Sequence, residues 1–116
     1  MFQAYTVNYL FDSTGKWIAF RKGIHVFDTR GRWIGYTPWK DNDVYTPSGE
    51  YLATIMQSNR LYYENNHTNR GLPDRVAMPR FPGVFPVPPY PGRAPLPQWA
   101  TDVDLSQLNN ADANVS

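Results

Sequence analysis

Three stretches align without gaps: Leu10-Phe-Asp-Ser-Thr-Gly-Lys-Trp-Ile-Ala-Phe20, Val26-Phe-Asp-Thr-Arg-Gly-Arg-Trp-Ile-Gly-Tyr36 and Val44-Tyr-Thr-Pro-Ser-Gly-Glu-Tyr-Leu-Ala-Thr54. Their starts are 16 and 18 residues apart, and an eroded fourth copy begins 17 residues later at Leu61-Tyr62. Repetition at this spacing, with β-branched and aromatic residues on both sides of a short polar centre, reads as strand, turn, strand. Asp12 and Asp28 open their turns, and Gly15 and Gly31 close them, as a type I turn prefers. Thr46 can make the same side-chain bond as the two aspartates, and Pro47 suits the second turn position. In the fourth copy Asn66 replaces the glycine, and Asn tolerates a left-handed backbone better than most residues.

The architecture expected is all-β: four hairpins in a closed or nearly closed meander with pseudo-four-fold symmetry. After Asn66 nothing matches the second-strand pattern, whereas Phe2-Gln-Ala-Tyr5 resembles Trp17-Ile-Ala-Phe20. The expectation is that Phe2–Tyr5 pairs with the fourth unit and closes the ring, removing exposed sheet edges. Simple alternation places Trp17, Trp33 and Tyr51 on one face with Ala19, Gly35 and Ala53. It places Ile18, Ile34 and Leu52 on the other, with Phe20, Tyr36 and Thr54. The small residue in each unit points to close approach of neighbouring hairpins. Both faces are apolar, so something beyond the hairpins must cover one.

The hairpin domain is read as residues 1–72. From 73 to 99 the chain is proline-rich, with eight of its 11 prolines between Pro79 and Pro97. Met78, Phe81, Val84, Phe85, Val87, Tyr90, Leu96 and Trp99 lie among them, which a solvated linker would not need. This segment is expected to wrap over its own domain as extended chain, the conformation proline favours. Residues 100–116 read as a polar, acidic and frayed tail.

The whole chain has 116 residues, a net charge of +1 and 16% aromatic residues. Its first hundred residues hold all 11 Lys and Arg against seven Asp and Glu, a mild +4. There is no Cys, which removes disulfides and thiolate chemistry. No apolar run reaches the roughly 18 residues of a membrane span, and no basic segment followed by an apolar one opens the chain. A cytoplasmic protein without membrane contact is expected.

The three F/Y-x-x-x-G-x-W/Y-I/L-A/G units and the proline-rich segment ending at Trp99 together resemble a family of small bacterial proteins, the four-fold beta-flower family. The resemblance covers residues 2–99 and implies four hairpins around a pseudo-four-fold axis with the tail packed on them. It implies no activity, and the degenerate fourth unit departs from the repeat.

Enzyme signatures are absent: there is no phosphate loop, nucleophile elbow or zinc-binding helix motif. His25 reads as a partly buried strand residue and His67 as a solvated turn residue. Asp12 and Asp28 are accounted for by their turns, since Thr46 takes the same place and is a poor metal ligand. No metal, cofactor or catalytic residue is expected. Basic residues in or near the turns, interleaved with Trp and Tyr, are the candidates for binding a partner: Lys16, Arg30, Arg32 and Arg60, with Trp39 as the best candidate for an exposed ring. The expected function is a non-enzymatic structural or interaction module with a protein partner, or self-association into a homo-oligomer. The alternative is a single-stranded nucleic-acid binder, because cations beside stacking platforms hold single strands. Pro88-Pro-Tyr-Pro-Gly-Arg93 also fits a peptide of the kind SH3-type domains read, provided the tail is free.

Overall fold

The structure is a computed structural model that describes residues 7–68, 70, 71 and 73–105. Eight strands follow in chain order: β1 (Val7–Phe11), β2 (Trp17–Lys22), β3 (His25–Asp28), β4 (Trp33–Tyr36), β5 (Asp43–Tyr45), β6 (Tyr51–Met56), β7 (Arg60–Glu64) and β8 (Ala100–Asp102). Each of β1 to β7 pairs with the next, antiparallel throughout. A parallel bridge between Phe11 and Arg60 joins β1 to β7. The result is a closed barrel of seven strands with β8 added on β7, in keeping with the expected closed meander.

The turns form as their residues dictate. Asp12 Oδ1 accepts the backbone N–H groups of Thr14 (3.0 Å) and Lys16 (2.9 Å), and Asp28 Oδ1 accepts those of Arg30 and Arg32, both at 2.9 Å. Thr46 Oγ1 accepts the Glu50 N–H at 3.1 Å, so the threonine does the aspartate's work. Gly15, Gly31 and Gly49 carry φ of 92°, 86° and 98°, which an L side chain resists. Asn66 is not among the described residues with positive φ, so it does not reproduce the glycine of the other units.

The face assignment from alternation is corrected. In each hairpin the pairing slips by one residue beside the turn: Leu10 faces Ala19 but Phe11 faces Trp17, and Val26 and Phe27 face Gly35 and Trp33. Val44 and Tyr45 likewise face Ala53 and Tyr51. A β-bulge puts one extra residue in the second strand, here Ile18, Ile34 or Leu52, and breaks the two-residue period. Ile34 and Leu52 therefore share the core with Ala19 and Ala53, and Ile18 packs against it. The tryptophans and Tyr51 move to the outside with Phe11, Phe27 and Tyr45.

At the centre Leu10, Val26, Val44 and Leu61, the first residue of each unit, are completely buried. The close approach expected at the small residue is present at Gly35, where a Cβ would meet the Tyr45 carbonyl oxygen at 2.6 Å and Val44 Cγ1 at 2.9 Å.

The proline-rich segment is docked. The Tyr36 hydroxyl donates to the Asp74 carbonyl (2.8 Å), and Phe85 lies 4.8 Å from the Phe20 ring. Further on, Ala94 N–H donates to Ser13 O (2.9 Å) and Asn65 N–H to Trp99 O (2.7 Å). The Pro88–Arg93 string lies on the first turn, with the Tyr90 hydroxyl donating to Thr14 O at 3.1 Å, so it is not a free peptide.

The boundary at residue 100 is also corrected. Ala100 is buried and opens β8, and Asp102 accepts from both Ser13 N–H (2.8 Å) and Ser13 Oγ (2.6 Å). Two hydrogen bonds to a turn 89 residues away and a ladder with β7 hold this stretch, while its acidic composition suggested fraying. Phe2–Tyr5 lies outside the described residues; the described neighbour of Tyr62–Glu64 beyond β6 is β8. No helix among the described residues is long and apolar enough to cross a membrane.

Candidate functional site

The bulges decide where the surface features fall. Each unit presents an aromatic pair beside its turn glycine: Phe11 with Trp17, Phe27 with Trp33, Tyr45 with Tyr51. The three outer sites are thus built alike, and they differ in what lies on them.

On the second unit lies the tail. Phe81 sits over the turn, so that a Cβ on Gly31 would be 2.5 Å from its ring, and Gly31 is buried. Phe27, Gly31, Arg32 and Trp33 line a cleft of about 370 Å³ whose other wall is Met78 to Phe81. An adjoining cleft adds Lys22, His25 and Pro82. His25 packs edge-on against Trp33 at 5.6 Å, and burial pushes its imidazole pKa down, which matches the partly buried structural histidine expected.

On the first unit the contact is repeated with Tyr90. A Cβ on Gly15 would collide with its ring and would meet the Gly92 carbonyl at 2.7 Å. Both covering segments are an aromatic residue followed by Pro-Gly: Phe81-Pro82-Gly83 and Tyr90-Pro91-Gly92.

On the third unit the described residues place no such segment. Gly49 is half-exposed, and a cleft of about 350 Å³ opens there, lined by Tyr45, Gly49, Glu50, Tyr51, Tyr63, Asn65 and His67. Its walls are fixed by a polar network. The His67 ring stacks on Tyr51 at 3.7 Å and 6°, and His67 Nε2 lies 3.0 Å from Asp43 Oδ2. Thr54 Oγ1 donates to Asp43 Oδ1 (3.0 Å) and lies 2.6 Å from the Tyr51 hydroxyl, which also accepts Glu64 N–H at 3.1 Å. Arg70 bridges Asp41 (2.6 Å) and Asp43 (3.0 Å) and lies 4.1 Å over Trp39. Burial would raise the Asp43 pKa, but hydrogen bonds from His67, Arg70 and Thr54 outweigh it and hold the carboxyl below its ordinary value. Burial pushes the Tyr45 and Tyr51 hydroxyls up.

The five residues proposed from sequence do not converge. Lys16 and Arg30 are exposed on separate turns, and Arg32 lines the second-unit cleft. Trp39 is half-buried between Tyr45, 5.0 Å away, and Arg70. Arg60 is only 4% exposed and donates to the carbonyls of Asp12 (2.8 Å) and Gly92 (3.0 Å), so it fastens the tail to the barrel and offers nothing to a partner. His67, read as a solvated turn residue, is instead a wall of the third cleft. The available signal was Thr54, where the first two units carry Phe20 and Tyr36, together with the acids Asp41 and Asp43 just ahead of the unit.

No family model, no curated protein and no solved structure matches this chain.

Proposed function

We propose that this protein is a non-enzymatic protein-interaction module, a small barrel that holds a proline-rich ribbon in a fixed extended course and presents its outward side to a partner. The supporting observation is the row of apolar side chains on that ribbon. Met78, Val84 and Val87 are 76%, 89% and 77% exposed, and Phe81 and Tyr90 show their outer faces at 64% and 69%. Contiguous exposed apolar side chains on a soluble-type domain mark places where another molecule is covered or covers. Backbone bonds at Asp74, Gly92 and Ala94 and the docked rings of Phe81, Phe85 and Tyr90 hold the ribbon, so a partner avoids part of the entropy of fixing it.

Val84→Asp combined with Val87→Asp tests this. Neither side chain is buried, so the melting temperature should stay within a few degrees of wild type while affinity capture loses its specific partners. An unchanged set of captured proteins removes the ribbon as the interaction surface.

A second reading is favoured by one arrangement. Lys22, Arg32 and Arg80 surround Phe27, Trp33 and Phe81 in the adjoining clefts of the second unit. Cations around aromatic faces suit a single strand of nucleic acid. Titration with a single-stranded oligonucleotide should then show binding that weakens steeply with salt, and no binding at about 50 mM salt would eliminate it.

A further inference from the structure

The ribbon is itself a repeat. Phe81-Pro-Gly-Val-Phe-Pro-Val-Pro-Pro89 and Tyr90-Pro-Gly-Arg-Ala-Pro-Leu-Pro-Gln98 align without gaps, and Trp99 stands where a further copy would begin. The folded copies agree as well: Gly83 and Gly92 have φ of 105° and 90°, and exposed and half-buried positions alternate alike along both. Each copy sets its first ring against a turn glycine, Phe81 at Gly31 and Tyr90 at Gly15. Both rings remain largely exposed, as does Trp99 nine residues on. The ribbon thus carries one exposed ring over each of the first two turns.

The charge around these rings has one sign. Residues 7–36, the first two hairpins, and 78–99 hold seven Lys and Arg against two Asp. Both aspartates, Asp12 and Asp28, accept hydrogen bonds within their own turns. Lys16, Arg30, Arg32, Arg80 and Arg93 are exposed. Arg32 and Arg80 share a cleft with Phe81. Arg93 lines another with Thr14, whose carbonyl accepts the Tyr90 hydroxyl. The overall charge of +1 therefore conceals a strongly basic side.

We propose that this side binds single-stranded nucleic acid along the ribbon, with bases stacked on Phe81 and Tyr90 and phosphates paired with the cations beside each ring. This rests on the nucleic-acid reading of the second-unit clefts and extends it to a track over two hairpins. Protein interfaces gather apolar residues in a centre depleted of charge, whereas here cations stand among the rings, the arrangement that holds single strands. Nine residues of proline-type extended chain span at most about 28 Å, within reach of a strand of about 4–16 nucleotides. The rings are seated before binding, which lowers the cost of association.

The test is a polarisation titration of the full chain into labelled oligothymidylate, twelve nucleotides long, at about 50 mM salt. Dissociation constants of about 1–100 µM are expected, with a log–log salt slope near −3 if about four phosphates are paired. An oligonucleotide backbone of equal length without bases should bind at least about fivefold more weakly. Arg80→Gln and Arg93→Gln, both exposed, should each weaken binding about threefold and flatten the slope by about 0.7. Oligouridylate should bind within about threefold of oligothymidylate, because rings and cations do not read the 2′-hydroxyl. A tenfold preference for either sugar would overturn a track built of rings and cations alone. Equal affinity for the base-free backbone would leave only charge attraction and overturn the stacking. An oligo-glutamate peptide of equal charge binding as tightly would make this a site for an acidic protein and overturn the proposal. A loss in Arg80→Gln with none in Arg93→Gln would confine the strand to the second-unit clefts, so the track falls and the narrower reading stands. No binding at all would remove both.

Discussion

The turn at Gly31 and the turn at Gly49 follow the same rules of construction and end with opposite surfaces. Each has a side-chain oxygen closing the turn, a glycine at positive φ and an aromatic pair beside it. Around Gly31 the surroundings are basic and the tail's Phe81 covers the glycine. Around Gly49 an acidic residue faces the cleft, and the stabilising contacts come from a network of Asp43, His67, Tyr51 and Arg70. The lesson is that a repeat can conserve a receptor while its units diverge in how they complete it. The turns at Gly15 and Gly31 are finished by the tail, and around Gly49 the described residues supply a polar network.

The harshest way to break this comparison is to remove the tail. Truncation after Met78 deletes β8, the Gly92 carbonyl that accepts from Arg60, the Phe85 contact with Phe20, and Asp102 with its bonds to Ser13. We expect a loss of at least about 3 kcal/mol, or roughly 15 °C in Tm, with tryptophan emission shifted to the red. Superimposable melts of the truncated and full chains would show that the first two turns do not need their cover.

Alanine at the three turn glycines sharpens the comparison. Alanine at any of them costs the strain of a positive φ, about 1–2 kcal/mol. At Gly15 and Gly31 the new methyl group also evicts Tyr90 or Phe81. Gly15→Ala and Gly31→Ala should therefore cost clearly more than that strain in denaturant melts and should expose residues 78–94 to limited proteolysis. Losses no larger than the strain alone would show that the two rings do not depend on the bare glycines beneath them.

The smallest effect is a pH dependence confined to the third unit. The Asp43 carboxyl has its pKa lowered in the fold below the ordinary 3.8, so at acid pH the unfolded chain binds the proton more readily than the folded one. The stabilisation is complete above the ordinary value and is lost as pH falls through the lowered one. Asp43→Asn should flatten that acid limb, and His67 ring signals should leave their stacked positions over the same range in wild type. An acid limb identical in Asp43→Asn would mean that other carboxylates set it.

Much of the fold was legible because its signals are local. Turn identity follows from Asp12, Asp28, Thr46 and their glycines, whose hydrogen bonds span two to four residues. The close approach at Gly35 followed from the small residue repeated in every unit. The candidate site was less legible. His67 gains its role by stacking on Tyr51, which arrives from a different strand, and Arg60 is buried by a carbonyl 32 residues away. Neither fact has a signature in nearby sequence.

The sequence by itself determined the three hairpins that carry the turn motif and the closed all-β plan, because turn chemistry and strand composition act over a few residues. Only the tertiary structure decided which side chains face outward, since one bulged residue per hairpin reverses the order that alternation predicts. It also decided that residues 100–102 join the sheet, and that Phe81 and Tyr90 cover two of the turns. Those outcomes depend on contacts between segments tens of residues apart, where the free energy of packing, not local preference, selects among the paths open to the chain.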